Sequence, residues 1–263
     1  MYRHVIVPFD GILEHRAVLA PGADLAWRCG AKVVIVATND STDPDIEAIL
    51  KAQAMQRSGT DADFWVDLGI DIDGALLGAA AHRDDPVICI TQRHRRPGLL
   101  KRRPALTPVP ARVLREAPCP VVFVGPEADV SRGLPFSTLY VPVEPEVGGE
   151  VAATLAAAWA LTFRVAVHLV ASVAPDAGPD VRASALDQAR ALLARVQAVT
   201  PEVRLDVIET ERPAAALAAI AGDDPDGVVM LGGTGGDHHD ALGPYAAEVV
   251  ATSRRAVVFP PAS

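Results

Sequence analysis

Residues 111–125 read ARVLREAPCPVVFVG, and they show how one α/β unit ends. Val113, Leu114 and Ala117 put apolar side chains on one face of a short amphipathic run, which Pro118 stops. Cys119 and Pro120 turn the chain. Val121-Val122-Phe123-Val124 follows as an unbroken β-branched and aromatic run, the pattern of a strand covered on both faces. The same plan returns over residues 246–260, AAEVVATSRRAVVFP, with Val249 and Val250 on the helix and Ala256-Val257-Val258-Phe259 as the strand. Each copy closes one half of the chain, so the protein reads as one plan used twice.

Working outward, Val5-Ile6-Val7-Pro8-Phe9 opens the first half as a strand that ends at Asp10-Gly11. Leu13 to Arg28 is helical in pattern, but Pro21-Gly22 interrupts it and predicts a kink or a late start. Gly30 caps that helix. Lys32 to Val36 is the second strand, with Thr38 just beyond it. A helix over 45–57, a strand over 64–68 and a helix over 71–83 follow, the last with Asp71 or Asp73 as N-cap. Strand 87–90 runs into Thr91, a loop to Val109 and the closing pair. The second half repeats the order. It begins with a strand from Thr138 that carries its own Val-Pro dipeptide and leads to Glu144. Helix 150–161, strand 165–173, helix 181–199, strand 203–208, helix 214–221 and strand 227–231 come next. The loop Gly232-Gly233-Thr234-Gly235-Gly236 then precedes the second closing pair. Strands alternating with helices predict parallel sheets covered on both faces. A repeat this long is a duplicated domain and not a solenoid unit. The expected domains are 1–127 and 136–263, joined by a linker in which Gly133 and Pro135 mark irregular backbone.

Composition narrows the function. Half of the 263 residues are apolar and only 5% are aromatic, so the core is built from Ala, Val, Leu and Ile. The net charge of −9 disfavours non-specific binding to nucleic acid or to an anionic membrane. Cys29, Cys89 and Cys119 show no CxxC spacing and lie in or beside apolar segments. They read as reduced, structural thiols of a cytoplasmic protein. Met1 to His4 run straight into the first strand, so no signal peptide is expected, and no apolar run is long enough for a membrane span.

The order strand–Val-Pro-x-Asp-Gly–helix, closed by Ala-Pro-Cys-Pro-Val-Val, resembles the universal stress protein family (UspA-like). Ala111–Val124 is the strongest match, Val7-Pro8-Phe9-Asp10-Gly11 supports it, and the resemblance covers nearly the whole chain as two tandem domains. It implies two Rossmann-like, adenine-nucleotide α-hydrolase-like domains of five parallel strands each. It also implies that the two form an intramolecular pseudo-dimer about a pseudo-two-fold axis, often through their last strands, and it allows a homodimer. The cofactor implied is a weakly bound ATP or AMP. ATP-binding members close the nucleotide site with Gly-x-x-Gly, nine residues, then Gly-Ser or Gly-Thr before the last helix, and an acidic residue after strand one touches the nucleoside. Glycines let backbone N–H groups approach phosphate, and the helix N-terminus favours negative charge.

Neither half keeps that set. In the first, Asp10 matches the acidic position, but the glycine positions read Thr91 and His94, and the Gly-Ser step falls on Thr107-Pro108. In the second, Gly233, Gly236 and Gly243 match the glycines. Only six residues separate the last two, Pro244 replaces the hydroxyl residue, and Glu144 stands in the acidic position. The candidate nucleotide residues are therefore Asp10, Thr38, Thr91, Gly233, Gly236 and Gly243, arranged as a degenerate site in both halves.

Residues 93–103, RHRRPGLLKRR, carry six positive charges and no negative one. They read either as an anion site held by Arg93, Arg95 and Arg96 or as a solvated, charged surface. Asp237-His238-His239-Asp240 reads as a polar turn and not as a metal site, because consecutive side chains rarely converge on one ion. Asp10 divides between nucleoside contact and helix capping, while Glu144 favours capping or exposure. No nucleophile elbow or triad spacing is present, so no enzyme is expected. The expectation is a stress-response or regulatory module with weak or no ATP binding. Its alternatives are a nucleotide sensor using the second glycine loop, and an anion or protein partner on the basic stretch.

Overall fold

The computed structural model describes residues 2–9, 19–38, 44–67, 70–91, 108–125, 128, 133–134, 136–144, 148–233 and 242–262. The chain divides into two compact units, Met1–Pro135 with Pro261–Ser263, and Phe136–Pro260. In the first unit, β1 (His4–Pro8), β2 (Lys32–Ala37), β3 (Ala62–Val66), β4 (Pro86–Thr91) and β5 (Val121–Val124) alternate with α1 (Leu19–Cys29), α2 (Pro44–Ser58), α3 (Ile72–Ala81) and α4 (Pro108–Glu116). The strands lie in the order β3-β2-β1-β4-β5, all parallel. In the second unit, β6 (Thr138–Pro142), β7 (Ala166–Val173), β8 (Val203–Glu209), β9 (Gly227–Met230) and β10 (Ala256–Phe259) alternate with α5 (Gly149–Phe163), α6 (Pro179–Gln197), α7 (Pro213–Asp223) and α8 (Pro244–Thr252). Their order is β8-β7-β6-β9-β10, again all parallel. Each unit carries the expected five parallel strands.

The apolar runs do what their composition requires. Val121 to Val124 and Ala256 to Phe259 are buried at every position. Helices α5 and α7 pack on β6, and α6 packs on β7 and β8. In the first unit α1 lies close to β1: a Cβ on Gly22 would stand 2.2 Å from Val7 Cγ1, so any larger residue would push helix and strand apart. Pro21 falls in the first turn of the described helix, where no intrahelical N–H is lost.

The Val-Pro dipeptides shape both sheets at one point. Phe9 N–H donates to the Val36 carbonyl at 2.8 Å, and Val143 N–H donates to the Val170 carbonyl at 3.0 Å. Successive N–H groups of a strand face opposite neighbours, so the position of Pro8 faces β4 and that of Pro142 faces β9. Proline has no N–H to give there. Pairing of β1 with β2 runs on to Pro8, whereas pairing with β4 stops at Ile6. Likewise β6 follows β7 to Pro142 but leaves β9 at Tyr140. In each unit the central strand therefore parts from one neighbour near its carboxyl end.

Other details repeat too. Ala31 N–H bonds to Ala26 O at 2.9 Å, and Val165 N–H bonds to Ala160 O at 3.3 Å, closing equivalent helix ends. The left-handed residue is Gly30 in the first (φ 63) and Arg164 in the second (φ 55). At the linker, Arg57 grips Asp24 with Nε at 2.5 Å and Nη2 at 3.0 Å, and Asp24 also accepts the Leu134 N–H at 2.8 Å. Gly133 (φ 78) has no room for a Cβ beside that pair.

Elements expected from sequence differ from those observed mainly at their ends. Helix α6 runs over Pro179–Gln197 and not over 181–199, and strand β3 runs over Ala62–Val66 and not over 64–68, where Lys32 pairs with Asp61 and Asp63 at 3.1 and 2.8 Å and anchors the start of the strand. Asp71 occupies the N-cap of α3 without a side-chain capping bond, and Asp73 turns instead to Arg112 at 3.0 Å.

Cys29, Cys89 and Cys119 are free and buried, and burial pushes each thiol up to about 12. All three should therefore resist an aromatic disulfide reagent at pH 8 and react together once denaturant is added. Fast native labelling of even one would contradict the packing at that position.

Candidate functional site

Ligands of open parallel sheets bind outside the carboxyl ends of the strands, where neighbouring connections leave in opposite directions. That point lies between β1 and β4 in the first unit and between β6 and β9 in the second, the same places where the prolines part the strands. Both crevices are thus built by the order of the strands and by one missing N–H.

The second crevice is bridged. Gly148, at the N-cap of α5 with φ 68, lies against Gly232 just beyond β9. A Cβ on Gly232 would stand 1.7 Å from the Gly148 carbonyl oxygen and 2.4 Å from its carbon. From the other side, a Cβ on Gly148 would meet the Gly232 carbonyl at 2.9 Å. Gly149 is as tight against the carbonyls of Pro142 and Val143, at 2.8 and 2.7 Å. The glycines bring backbone to backbone at this level, and no side chain fits between them.

The polar groups beside the bridge are acidic. Glu144 follows β6 at the position that corresponds to Asp10, as the paired bonds from Phe9 and Val143 establish. Its Oε1 accepts the Ser172 N–H at 3.1 Å and ties the loop to the end of β7. The expected capping or exposure of Glu144 is replaced by this cross-strand bond. Tyr245, in the first turn of α8, has its phenol pushed up by burial first and then by the nearby carboxylates of Glu144 and Glu248. Glu248 is partly balanced by Arg212 at 2.5 Å. Both carboxylates act on Tyr245 beside the N-terminus of α8, a negative environment that disfavours a phosphate.

Gly233 is half-buried behind Gly232. Gly243 is buried as the N-cap of α8, with Pro244 as the first helical residue. In the first unit Thr91 ends β4 and Thr38 follows β2, both half-buried at the carboxyl edge of the sheet. Phe9 fills the space after Pro8 and meets Phe64 edge-on at 6.5 Å. Asp10, Arg93, Arg95, Arg96 and Gly236 lie outside the described residues, as do the basic stretch 93–103 and the turn 237–240. Among the described residues no group of His, Cys, Asp and Glu could hold a metal, and no helix is long and apolar enough to cross a membrane.

One polar cluster escaped the sequence reading. His168 is buried in the middle of β7, in register with Tyr140 on one side and Arg204 on the other. Its Nδ1 accepts from Arg204 Nη2 at 2.9 Å and its Nε2–H donates to Asp206 Oδ2 at 2.8 Å, which fixes a neutral ring with the proton on Nε2. The Tyr140 ring lies tilted against the imidazole, with centroids 4.9 Å apart, and Tyr140 donates its hydroxyl to Asp224 at 3.0 Å. The corresponding position of the first unit is Val34, in register with Ile6 and Asp63. A lone histidine inside an apolar strand was the only signal available.

No family model and no curated protein matches the chain. Solved structures do. A universal stress protein from Archaeoglobus fulgidus DSM 4304 superposes with a TM-score of 0.69 at 16% identity, covering 99% of this chain and 98% of that one. A Pseudomonas aeruginosa UCBPP-PA14 protein assigned to the universal stress proteins matches with a TM-score of 0.65 at 16% identity, over 99% and 94% of the two chains. A functionally unknown protein from Pseudomonas aeruginosa PAO1 gives 0.65 and 16%, over 99% and 93%. The fold of this chain is that of the universal stress proteins.

The histidine makes stability depend on pH. Burial first, and then the Arg204 charge, lower His168 from its ordinary 6.5. Below that value the unfolded chain takes up a proton that the native state refuses, so stability is complete above about pH 6.5 and falls as the pH drops. Denaturant unfolding between pH 7.5 and 5.5 should show this loss in the wild type and less of it in His168→Val. Equal slopes in the two proteins would contradict a neutral, buried His168.

Proposed function

We propose that this chain is a tandem universal stress protein whose cytoplasmic role is regulatory and non-catalytic, with nucleotide sites that have lapsed toward weak or no ATP binding. The backbone bridge between Gly148 and Gly232 carries this reading. Gly232, next to the Gly233 that matches the phosphate pattern, is taken up in letting the chain approach itself. The acidic pair Glu144 and Glu248 and the loss of a hydroxyl at Pro244 support it. The fold permits an adenine nucleotide, but fold does not fix ligand.

A second reading rests on the six positive charges of residues 93–103. Arginine forks can reach phosphate oxygens without a glycine loop, at the cost of ordering flexible side chains. If the chain holds an anion, the first unit holds it, through Arg93, Arg95 or Arg96 near Thr91.

Calorimetry with ATP and Mg²⁺ should show weak binding or none. Each missing hydroxyl removes a hydrogen bond to a charged group worth about 1.5–3 kcal/mol, roughly tenfold to a hundredfold in affinity. A micromolar or tighter site would overturn the reading.

Gly232→Ala separates packing from phosphate binding. If the glycine serves the backbone bridge, the substitution should cost about 1–3 kcal/mol of stability. Unchanged stability with loss of a nucleotide signal would assign the glycine to a ligand instead.

For the second reading, sulfate, phosphate and AMP titrations followed by amide shifts should give saturable changes at Arg93 to Arg96. These should disappear in Arg95→Ala/Arg96→Ala. Uniform, unsaturable shifts would reduce the stretch to a charged surface.

A further inference from the structure

Strand β8 is the free edge of the second unit's sheet. It pairs with β7 along its whole length, from Val203 opposite Val167 to Glu209 opposite Val173, and among the described residues no strand lies on its other side. Its residues are exposed or half-buried throughout, and Val207 is 43% exposed.

The backbone bonds show which groups that edge presents. Val167 N–H donates to Glu202 O, and Thr210 N–H donates to Val173 O. In a parallel pair each strand turns alternate residues toward its neighbour, so the even-numbered residues of β8 face β7. Leu205, Val207 and Glu209 therefore direct both N–H and C=O outward. Val203 turns its carbonyl outward, while its N–H bonds to Pro201 O at 3.0 Å.

We propose that β8 pairs antiparallel with β8 of a second copy of this chain, in the register centred on Leu205. Leu205 then faces Leu205 of the partner subunit and exchanges both backbone bonds with it. Val207 N–H reaches the carbonyl of Val203 of the partner subunit, and the symmetry repeats that bond. Between them, Arg204 faces Asp206 of the partner subunit twice, at the non-hydrogen-bonded positions where side chains come closest.

Charge selects this register. Centring on Asp206 sets that carboxylate against its own copy, and centring on Arg204 opposes two guanidinium groups. Centring on Val207 leaves Asp206 opposite Ile208 and Leu205 opposite Glu209. Centring on Val203 would set Arg204 against a glutamate but needs the Val203 N–H already bonded to Pro201 O, so among centres with both backbone groups free only Leu205 opposes unlike charges and keeps apolar residues together. The row is already ordered: Arg204 and Asp206 both hold His168, while the Asp206 side chain remains 56% exposed. The equivalent edge of the first unit, β3, carries Asp63 and Trp65 at these two positions and offers no such match.

A single strand pair buries less than a standard interface, so association should be weak and visible up to about 1 mM. Sedimentation velocity on the full chain should show a concentration-dependent dimer. In the same range, amide exchange at Leu205 and Val207 should slow about tenfold, while Arg204 and Asp206, bonded to β7 in either state, should not change.

Arg204→Asp and Asp206→Arg should each raise the dissociation constant at least about tenfold, because both facing pairs become repulsive. An equimolar mixture of the two variants should regain the dimer, since the facing charges become unlike again. If circular dichroism shows either variant unfolded, Val207→Pro supplies the test. It removes an outward N–H without touching the bonds to β7, and it should abolish the dimer. A wild-type monomer at 1 mM overturns the proposal. So does a dimer that persists in the folded variants, which would place the interface elsewhere.

Discussion

A proline with no N–H to give, at the end of the central strand, is the constraint on which both candidate sites depend. A strand buried between two neighbours ordinarily satisfies both, because an unpaired N–H or C=O inside a sheet is costly. Pro8 and Pro142 remove one donor on one side only. The strand stays with β2 or β7, where its bonds are complete, and parts from β4 or β9, where one would be missing. That asymmetry opens the sheet where the connections diverge, so ligand geometry begins with a backbone group and not with a side chain.

The described residues beside the opening differ between the units. In the first, Phe9 meets Phe64 of β3 edge-on. In the second, the smaller Val143 leaves room for the start of α5 to approach, and Gly148 and Gly149 lie against the backbones of residues 232 and 142–143. Glu144 turns across to the Ser172 N–H and is no longer directed outward. Each step makes the next cheaper. Once the loops after β6 and β9 touch through backbone, a carboxylate near them needs a donor from the protein, and the end of β7 supplies one.

The fold was legible because its signals are local and repeated. The buried runs Val121–Val124 and Ala256–Phe259 have one reading, and the Val-Pro dipeptides align the halves. Strand β3 was read late because Asp61 and Asp63 look like turn residues until Lys32 is known to neutralise them. The site was less legible, for a different reason. A glycine after a strand permits close approach but does not say of what, and phosphate and backbone make the same demand on it. The pattern Gly233, Gly236 and Gly243 therefore read as a weakened phosphate loop, while the geometry at the neighbouring Gly232 is chain against chain. His168 could not be placed from sequence at all, since its partners Arg204 and Asp206 lie on another strand.

The two edge strands show how a duplicated plan diverges where it is least constrained. Central strands answer to neighbours on both sides and to helices on both faces, so β1 and β6 remain nearly interchangeable. An edge strand answers to one neighbour only, and its outer backbone groups must be screened or used. On β3 the first unit screens: Lys32 gathers the carboxylates of Asp61 and Asp63, and the Arg83 guanidinium lies 4.6 Å over Trp65. On β8 the charges instead turn inward to a buried histidine where the first unit has Val34. A buried His168 requires polar partners, and the neighbouring edge strand provides them. A core residue thereby sets the charge pattern of the surface, with one residue of each sign on the same face and two positions apart. That spacing is what a strand needs to recognise its own copy across a two-fold axis.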